Sequence, residues 1–201
     1  MEIYLIRHTT PAVEKGICYG QSDLDVTATF LDEATKIKAV LPKEVTAIYS
    51  SPLQRCTKLA VELFPSQHIH LHPHLKELNC GIWELQKWDD IPAPELKSWM
   101  DDFVNVQVPD GESYTELYDR VVNCFNSIIK EHSYAAIVCH AGVVRSILSF
   151  ITGIPLKESF NTFKLHYGCV VKLTMQQNKF EYEMLHNIPP LEKEQHRPSN
   201  Y

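Results

Sequence analysis

The sequence lacks the features that identify membrane and secreted proteins. Its longest apolar stretch, residues 135–154, is interrupted by His140 and Arg145, so no uncharged run approaches the ~20 residues of a membrane span. Residues 1–8 (MEIYLIRH) have no basic start, long apolar core or small-residue cleavage site, and therefore do not resemble a signal peptide. These absences predict a cytoplasmic protein without a membrane partner.

The sequence also has no excess of positive charge and no closely paired cysteines. It contains 19 Lys and Arg against 25 Asp and Glu, a formal net charge of −6, which argues against a nucleic-acid partner. Any anionic substrate must therefore be attracted by a local cationic pocket. The six cysteines form no Cys-x-x-Cys pair, and a chain of this size does not need disulfides for stability, so we predict reduced thiols.

The remaining composition is that of a globular protein. The chain has 201 residues, of which 44% are hydrophobic and 22% charged. This length is typical of one domain and suffices to bury roughly 70% of the unfolded surface. We predict a single domain over residues 1–188, with a lid-like insertion at about 91–111, followed by a polar C-terminal tail over residues 189–201.

Strand-like and helix-like segments alternate along the chain. Apolar runs predict strands at residues 2–7, 45–50 and 135–139, and a hairpin formed by 169–175 and 180–186. Periodicity and capping signals predict helices at 30–41, from Ser51-Pro52 to before Pro65, after the capping box at 113–116, and from about Val143 to Gly153. The pattern indicates an α/β fold: a three-layer sandwich with a mostly parallel central sheet, an antiparallel edge strand and helices on both faces.

Polar side chains follow three of the predicted strands at the point where each strand ends. They are Arg7 and His8 after the first, Ser50 and Ser51 with the nearby Arg55 after the second, and His140 after the third. Ligands of open α/β sheets bind at the carboxyl ends of the strands, so these groups are expected to converge. Two imidazoles and two guanidiniums suit a small oxyanion such as phosphate.

Such a pocket predicts phosphoryl transfer. A buried imidazole beside fixed cations disfavours protonation, and a neutral ring nitrogen is a competent nucleophile toward phosphorus. The two arginines would stabilise the charge on the phosphoryl oxygens in the transition state. A carboxylic acid must then protonate the departing alkoxide, and Glu77 is the candidate.

Five motifs around these residues occur in the order of a known family. They are residues 5–9 (LIRHT), residues 49–60 (YSSPLQRCTKLA), Glu77 with residues 81–84 (GIWE), residues 109–113 (PDGES) and residues 138–142 (VCHAG). Each motif is weak alone, but together they extend over about residues 3–145. In this order they resemble the histidine phosphatase (phosphoglycerate mutase-like) superfamily.

This resemblance implies a phosphomonoester hydrolase that needs neither a metal nor another cofactor. His8 is then the phosphate acceptor, and Glu77 is the proton donor. Arg7, Arg55 and His140 are the groups that bind the phosphate.

A further run, residues 16–23 (GICYGQSD), resembles the α-ribazole phosphatase branch, which acts late in the assembly of the cobalamin nucleotide loop. The partner implied is a small phosphorylated metabolite, with Gln21 and Ser22 expected at the substrate. A homodimer is left open.

The sequence departs from the family pattern at several positions. The usual glycine after the catalytic histidine is Thr9, the asparagine common a few residues later is absent from the region around Glu14, and Leu85 replaces the glycine after the Trp-Glu pair. The glycine common after residues 26–27 is also absent. None of these changes removes a core catalytic group.

Two functional alternatives remain. One is a phosphoglycerate mutase or a broad-specificity sugar or nucleotide phosphatase, although residues 91–111 contain one basic residue, Lys97, which disfavours a bisphosphate. The other is a catalytically silent phosphate-ligand sensor. The presence of His8, Arg55, Glu77 and His140 together argues against a sensor.

Two further features allow more than one interpretation. In an extended segment, the histidines of residues 68–74 share one face and could bind Zn or Cu. Neighbours on the same face of a strand lie roughly 7 Å apart, which is too far for two of them to share a metal ion unless the strand bends. We therefore favour a solvated strand face with Ile69 and Leu71 packed inward. A wall beside the substrate could be formed by Glu84, Trp83, Trp88 and Trp99, but core or lid packing is the favoured interpretation. Arg145 is interpreted as a structural charge.

Overall fold

A six-stranded sheet forms the centre of the fold, which we describe from a computed structural model for residues 1–177 and 179–190. The strands are ordered β3-β2-β4-β1-β5-β6. Their bounds are β1 Glu2–Arg7, β2 Ala47–Ser50, β3 Ile69–Leu71, β4 Tyr134–Cys139, β5 Val170–Gln176 and β6 Lys179–His186. The pairs β3–β2, β2–β4 and β4–β1 are parallel, whereas β5 pairs antiparallel with both β1 and β6. The predicted α/β sandwich with a mostly parallel sheet is confirmed.

Six α-helices accompany the sheet in the described residues. They are α1 Phe30–Lys38, α2 Gln54–Leu63, α3 Ala93–Asp101, α4 Tyr114–Glu131, α5 Ala141–Thr152 and α6 Leu156–Thr162. Short 3₁₀ turns occur at Pro73–Leu75, Gly81–Trp83 and Trp88–Asp90. None of these helices is both long and apolar enough to cross a membrane.

Alternate residues of the central strands supply two separate cores. Leu5 of β1 and Ile137 of β4 pack with α4 and α5 on one face of the sheet. Their neighbours Ile6 and Val138 pack with α1 and α2 on the other face. Because successive side chains of a strand point to opposite faces, the interior positions of β1 and β4 are apolar on both sides. This two-sided burial makes the three layers.

Local signals determine where several helices begin and end. The Ser113 hydroxyl accepts a hydrogen bond from the Glu116 N–H, and the Glu116 carboxylate accepts one from the Ser113 N–H, so the predicted capping box starts α4. Helix α5 ends at Gly153, whose φ of 74° lies in the left-handed region that glycine adopts without strain. It starts at Ala141, two residues before the predicted position.

The predicted start of α2 is wrong. Ser51-Pro52 was expected to begin this helix, but its first residue is Gln54 and its N-cap is Leu53. The reason is that Ser51 continues the sheet: its N–H donates to the carbonyl of Val138 at 2.9 Å. Its hydroxyl lies 2.8 Å from a ring nitrogen of His140 and is thereby used in the interior.

The histidine run was also predicted partly wrongly. Strand β3 covers only Ile69–Leu71 and lies at the edge of the sheet, and Leu71 is 57% exposed rather than packed inward. Ile69 does pack against the core on the α1 and α2 side. The imidazoles form two pairs, with ring centroids 4.6 Å apart for His68 and His70 and 5.3 Å apart for His72 and His74. Within the described residues, no three His, Cys, Asp or Glu side chains are placed to hold a metal ion.

A third, smaller apolar cluster lies around the predicted insertion. Its buried members are Cys18, Cys80, Trp83, Trp88, Ile91, Leu96 and Val108. Trp83 and Trp88 are almost fully buried; the packing interpretation holds for Trp83, whereas Trp88 packs in this cluster and also lines the cavity described below. Trp99 of α3 is only half-buried and stacks on Trp88 with the ring centroids 5.9 Å apart.

Leu85, which stands where the family has glycine, adopts a backbone conformation that disfavours a side chain. Its φ is 65°, in the left-handed region, and its side chain is 56% exposed. Its N–H donates to the carbonyl of Cys18 at 2.8 Å, which keeps the turn in place. The left-handed conformation costs a residue with a Cβ atom about 1–2 kcal/mol.

We therefore expect Leu85→Gly to raise the free energy of unfolding by about 0.5 kcal/mol, because relief of this strain exceeds the added flexibility of glycine in the unfolded chain. Urea denaturation measures the change. The matched control is Leu31→Gly, which replaces a leucine that is 61% exposed within α1 and should lower the free energy of unfolding by about 1 kcal/mol. Equal destabilisation by both substitutions would contradict the strain at Leu85.

Candidate active site

The carboxyl ends of three neighbouring strands bring the predicted residues together. Strands β2, β4 and β1 are adjacent in the sheet, and Arg7, His8, Arg55 and His140 are each at most 4% exposed. The rings of His8 and His140 lie edge to face with their centroids 5.1 Å apart. Arg7, His8 and Glu77 line a cavity of about 250 Å³. Arg55 and His140 are not among its lining residues and lie fully buried.

His8 is held in one tautomer by the backbone carbonyl of the next residue, Thr9. Its Nδ1 lies 2.7 Å from the carbonyl oxygen of Thr9, and because a carbonyl only accepts, Nδ1 must carry the proton. In a neutral His8 ring, the lone pair is then on the other nitrogen, Nε2. Thr9 contributes this contact through its backbone, so the replacement of the family glycine by threonine leaves it intact.

His140 is a neutral imidazole. Burial above all, and then the positive charge of Arg55 and the proximity of His8, hold the pKa of His140 well below its usual value. Its Nε2 lies 2.8 Å from the Ser51 hydroxyl, and the Sγ of Cys56 lies 3.5 Å from the same nitrogen. This environment fixes the ring orientation directly behind His8.

Both arginines are held by carbonyl oxygens. The Nη1 of Arg7 donates to the carbonyl of Leu165. Arg55 donates from Nη1 to the carbonyl of Ser22 at 2.7 Å and from Nη2 to that of Gly20 at 2.6 Å. The carbonyl oxygens accept both Nη groups of Arg55 without neutralising its positive charge, which stays available to an anion.

Glu77 enters the cavity from the segment that precedes the Gly81–Trp83 turn. One carboxylate oxygen accepts from the N–H of Leu78 and the other from the N–H of Gly142, both at 3.0 Å. Its backbone carbonyl accepts from the Nη2 of Arg120 at 2.8 Å and from the Nε2 of Gln21 at 3.0 Å. The candidate acid is therefore fixed at both its carboxyl group and its backbone.

Gln21 and Ser22, which were predicted to contact substrate, make other contacts in this structure. The Gln21 amide holds the backbone of Glu77, and the Ser22 hydroxyl donates to the Glu84 carboxylate at 2.5 Å. Neither side chain is among the cavity-lining residues. Gln21 and Ser22 therefore contact residues around the cavity and not the cavity itself.

Two tyrosines near the site were missed by the sequence reasoning. Tyr19 and Tyr167 share a hydroxyl–hydroxyl hydrogen bond of 2.5 Å. The Arg7 guanidinium lies 3.8 Å from the centroid of the Tyr167 ring, and that of Arg55 lies 5.6 Å from the Tyr19 ring. Tyr19 lies within residues 16–23, which carry the α-ribazole phosphatase resemblance, and that resemblance could have predicted Tyr19 near the site. No sequence pattern predicts Tyr167 there.

Arg120 was also missed. It lies on α4, pairs with Glu112 at 2.7 Å, and donates to the carbonyls of His74, Lys76 and Glu77, each at 2.8 Å. The segment that carries Glu77 is therefore tied to α4. No sequence pattern marks this arginine, because the carbonyl groups that it binds lie more than 40 residues earlier in the chain.

The outer part of the cavity is aromatic. Its lining includes Trp88, Trp99, Phe103, Tyr114 and Phe160. Arg145 also lines it, 8% exposed, with its guanidinium 4.2 Å from the Phe160 ring centroid and its Nη1 bonded to the carbonyls of Ser159 and Phe163. Arg145 is therefore both a structural charge, as predicted, and part of the cavity wall.

A histidine with a directed lone pair, fixed guanidiniums and a carboxyl group at the edge of an α/β sheet form an arrangement suited to phosphate esters. The comparisons with known proteins agree with this class. A family model described as "Histidine phosphatase superfamily (branch 1)" matches residues 3–188. The chain belongs to this superfamily, and it is a phosphatase by class.

Individual relatives differ in the activity their names give. The "Putative phosphoserine phosphatase 2" of Hydrogenobacter thermophilus is 29% identical, over 79% of this chain and 82% of that protein. The "Probable phosphoglycerate mutase GpmB" of Escherichia fergusonii is 32% identical, over 77% of this chain and 76% of that protein. The crystal structure of the α-ribazole phosphatase from Shigella flexneri superposes with a TM-score of 0.81 at 22% identity, covering 92% of this chain and 95% of that one.

Gly142 provides a direct test of the Glu77 geometry. A Cβ atom on Gly142 would lie 2.1 Å from Oε1 of Glu77, so Gly142→Ala must displace the carboxyl group from the cavity wall. General acid catalysis contributes about 10²–10⁴-fold, and we expect kcat for an alkyl phosphate to fall about 10²-fold with the fold retained. Steady-state kinetics and circular dichroism measure the two effects.

The matched control is Gly153→Ala, because a Cβ atom there meets nothing within 4 Å and the substitution strains only the end of α5. It should lower the melting temperature and leave kcat unchanged. A Gly142→Ala enzyme with wild-type kcat would contradict a role for the Glu77 carboxyl group.

Proposed function

We propose that this phosphatase hydrolyses phosphate monoesters through a phosphohistidine formed on His8. The observation that carries the proposal is the 2.7 Å contact between Nδ1 of His8 and the Thr9 carbonyl, which directs the lone pair of Nε2 away from the backbone. Arg7 lies beside this ring in the same cavity, and the neutral His140 packs against it. These are the requirements for a nitrogen nucleophile that attacks an anion.

In the first step, the lone pair of His8 Nε2 forms a bond to phosphorus while the bond between phosphorus and the alcohol oxygen breaks. Glu77 gives its proton to the leaving oxygen. Arg7, Arg55 and His140 bind the phosphoryl oxygens, and the two guanidiniums stabilise their charge. In the second step, water attacks phosphorus as Glu77 takes a proton from it, the N–P bond breaks, and inorganic phosphate leaves.

We expect His8→Ala to abolish turnover, because no other group replaces the attacking nitrogen. Rapid acid-free quenching of the wild-type enzyme with a ³²P-labelled substrate should trap one acid-labile phosphate per chain, and the variant should trap none. The control is His68→Ala, which removes an exposed imidazole at the sheet edge and should leave both values unchanged. Wild-type turnover in His8→Ala would refute the covalent mechanism.

The cavity supports α-ribazole phosphate, the nucleotide-loop precursor of cobalamin, as the substrate. Its aromatic lining suits a flat apolar group on the alcohol side of the phosphate ester. The resemblance of residues 16–23 to the α-ribazole phosphatase branch points to the same substrate. The fold of the Shigella flexneri α-ribazole phosphatase is compatible with it.

The phosphoglycerate mutase and broad-specificity alternatives are less well supported by the cavity. Of the lining residues in the described part of the chain, the Lys and Arg side chains are Arg7 and Arg145. Lys97, the basic residue of the predicted lid, is exposed and pairs with Asp101 at 2.6 Å. A second phosphate would find Arg145 alone, among aromatic rings.

A substrate panel separates these alternatives. We expect the highest kcat/KM for α-ribazole 5′-phosphate over phosphoserine, 3-phosphoglycerate, sugar phosphates and nucleotides. Trp99→Ala should raise KM for α-ribazole phosphate about tenfold, which corresponds to about 1.4 kcal/mol, because one aromatic contact is worth about 0.5–1.5 kcal/mol; KM for glycerol phosphate should stay unchanged. Equal effects on both substrates, or isomerisation of phosphoglycerate without phosphate release, would contradict the proposed substrate.

A further inference from the structure

Residues 20–22 form a loop that contacts two separate parts of the proposed catalytic machinery. The carbonyls of Gly20 and Ser22 accept hydrogen bonds from both Nη atoms of Arg55. Between them, the side chain of Gln21 donates to the backbone carbonyl of Glu77. The same three residues therefore orient a phosphate-binding guanidinium and support the candidate acid.

The loop packs closely against the segment that carries Glu77. A Cβ atom on Gly20 would lie 1.8 Å from the carbonyl oxygen of Leu78, the residue after Glu77, and 3.0 Å from the Sγ of Cys80. A side chain at Gly20 is incompatible with this approach. Any movement of the loop must therefore displace the backbone next to Glu77.

One carboxylate, that of Glu84, holds the loop in this conformation. It accepts from the N–H of Gly20 at 3.0 Å, from that of Gln21 at 2.7 Å and from that of Ser22 at 3.2 Å. It also accepts from the Ser22 hydroxyl at 2.5 Å and from the N–H of Cys80 at 3.2 Å. Three consecutive N–H groups directed at one carboxylate leave the loop carbonyls facing the opposite way, toward Arg55.

The charge of Glu84 is maintained although the side chain is half-buried. Burial acts against the ionised form, but the hydrogen bonds from Ser22 and from the N–H groups of Gly20 and Gln21 outweigh it and lower the pKa of this carboxyl group. Ionised acceptors make hydrogen bonds roughly twice as strong as neutral ones. A neutral amide at this position would present an N–H₂ group to N–H donors.

We propose that Glu84 is a positioning residue for phosphoryl transfer, which acts on Arg55 through the carbonyls of Gly20 and Ser22 and on Glu77 through Gln21. The inference rests on the proposed roles of Arg55 and Glu77. It assigns a function to the glutamate of the Trp-Glu pair, whose side chain does not line the cavity.

The leaving group of the substrate distinguishes the two effects. p-Nitrophenol leaves without a proton donor, so the first step with p-nitrophenyl phosphate, which kcat/KM reports, depends on Arg55 and not on Glu77. 2-Phenylethyl phosphate, an alkyl ester with a ring of similar size, needs both. We expect Glu84→Gln to lower kcat/KM about 10²-fold for the nitrophenyl ester and further for the alkyl ester, as small displacements of catalytic groups do.

Gln21→Ala isolates the branch that leads to Glu77. It removes the bond to the Glu77 carbonyl while the loop carbonyls stay on Arg55. We expect kcat/KM for 2-phenylethyl phosphate to fall about tenfold, with the value for p-nitrophenyl phosphate within about twofold of the wild type. Equal losses for both esters would overturn this branch.

Glu116→Gln is the matched control, because Glu116 also accepts several hydrogen bonds but lies at the start of α4, outside the cavity lining. It should lower the melting temperature and leave kcat/KM unchanged. If Glu84→Gln lowers only the melting temperature, Glu84 is a structural residue and the proposal is overturned.

A second variant applies if Glu84→Gln does not fold. Ser22→Ala removes one hydrogen bond to Glu84 and should lower kcat/KM severalfold for both esters. Wild-type values of kcat/KM in Ser22→Ala would overturn the proposal.

Orthovanadate separates this inference from the proposed function. It binds phosphoryl-transfer sites in five-coordinate form and needs no turnover. We expect its dissociation constant to rise about 10²-fold in Glu84→Gln. A wild-type enzyme that hydrolyses neither ester would contradict the proposed function, whereas unchanged vanadate affinity in Glu84→Gln would overturn the positioning role by itself.

Discussion

The parallel pairing of β1 with β4 is the constraint on which the site depends. Arg7 pairs with Cys139 in register, and the N–H of His8 donates to the Cys139 carbonyl at 2.9 Å, so His8 and His140 leave the sheet side by side. A one-residue shift of β1 would send the His8 ring to the opposite face of the sheet. The 5.1 Å approach of the two imidazoles exists only in this register.

The second constraint is how positive charge is kept in a buried site. Burying a guanidinium requires hydrogen-bond partners, and a carboxylate partner would compete with an anionic substrate. Gly20 and Ser22 supply carbonyls to both Nη atoms of Arg55, so that its positive charge is not neutralised. The same charge, added to burial, keeps His140 neutral. The strand ends therefore determine where the charged groups lie, whereas the loops around the sheet determine which charges they keep.

Much of the fold and most of the site could be predicted, because the signals were local. The capping box at Ser113 and the stop at Gly153 depend on neighbouring backbone groups, and each worked as expected. The start of α2 did not, because Ser51 is a good N-cap by residue type but gives its N–H to Val138 across the sheet. Leu71 is exposed because β3 is a short edge strand whose neighbours cannot be deduced from its alternation alone.

The sequence by itself determined the class of chemistry, since Arg7, His8 and His140 end apolar runs and Arg55 and Glu77 stand in recognisable motifs. The tertiary structure alone decided how these groups are held. Arg120 and Glu84 reach partners far away in the chain, and Tyr19 meets Tyr167 across 148 positions. Strand ends are marked by the local alternation of apolar and polar residues, whereas a hydrogen bond between distant segments depends on the packing of the whole chain and leaves no local pattern.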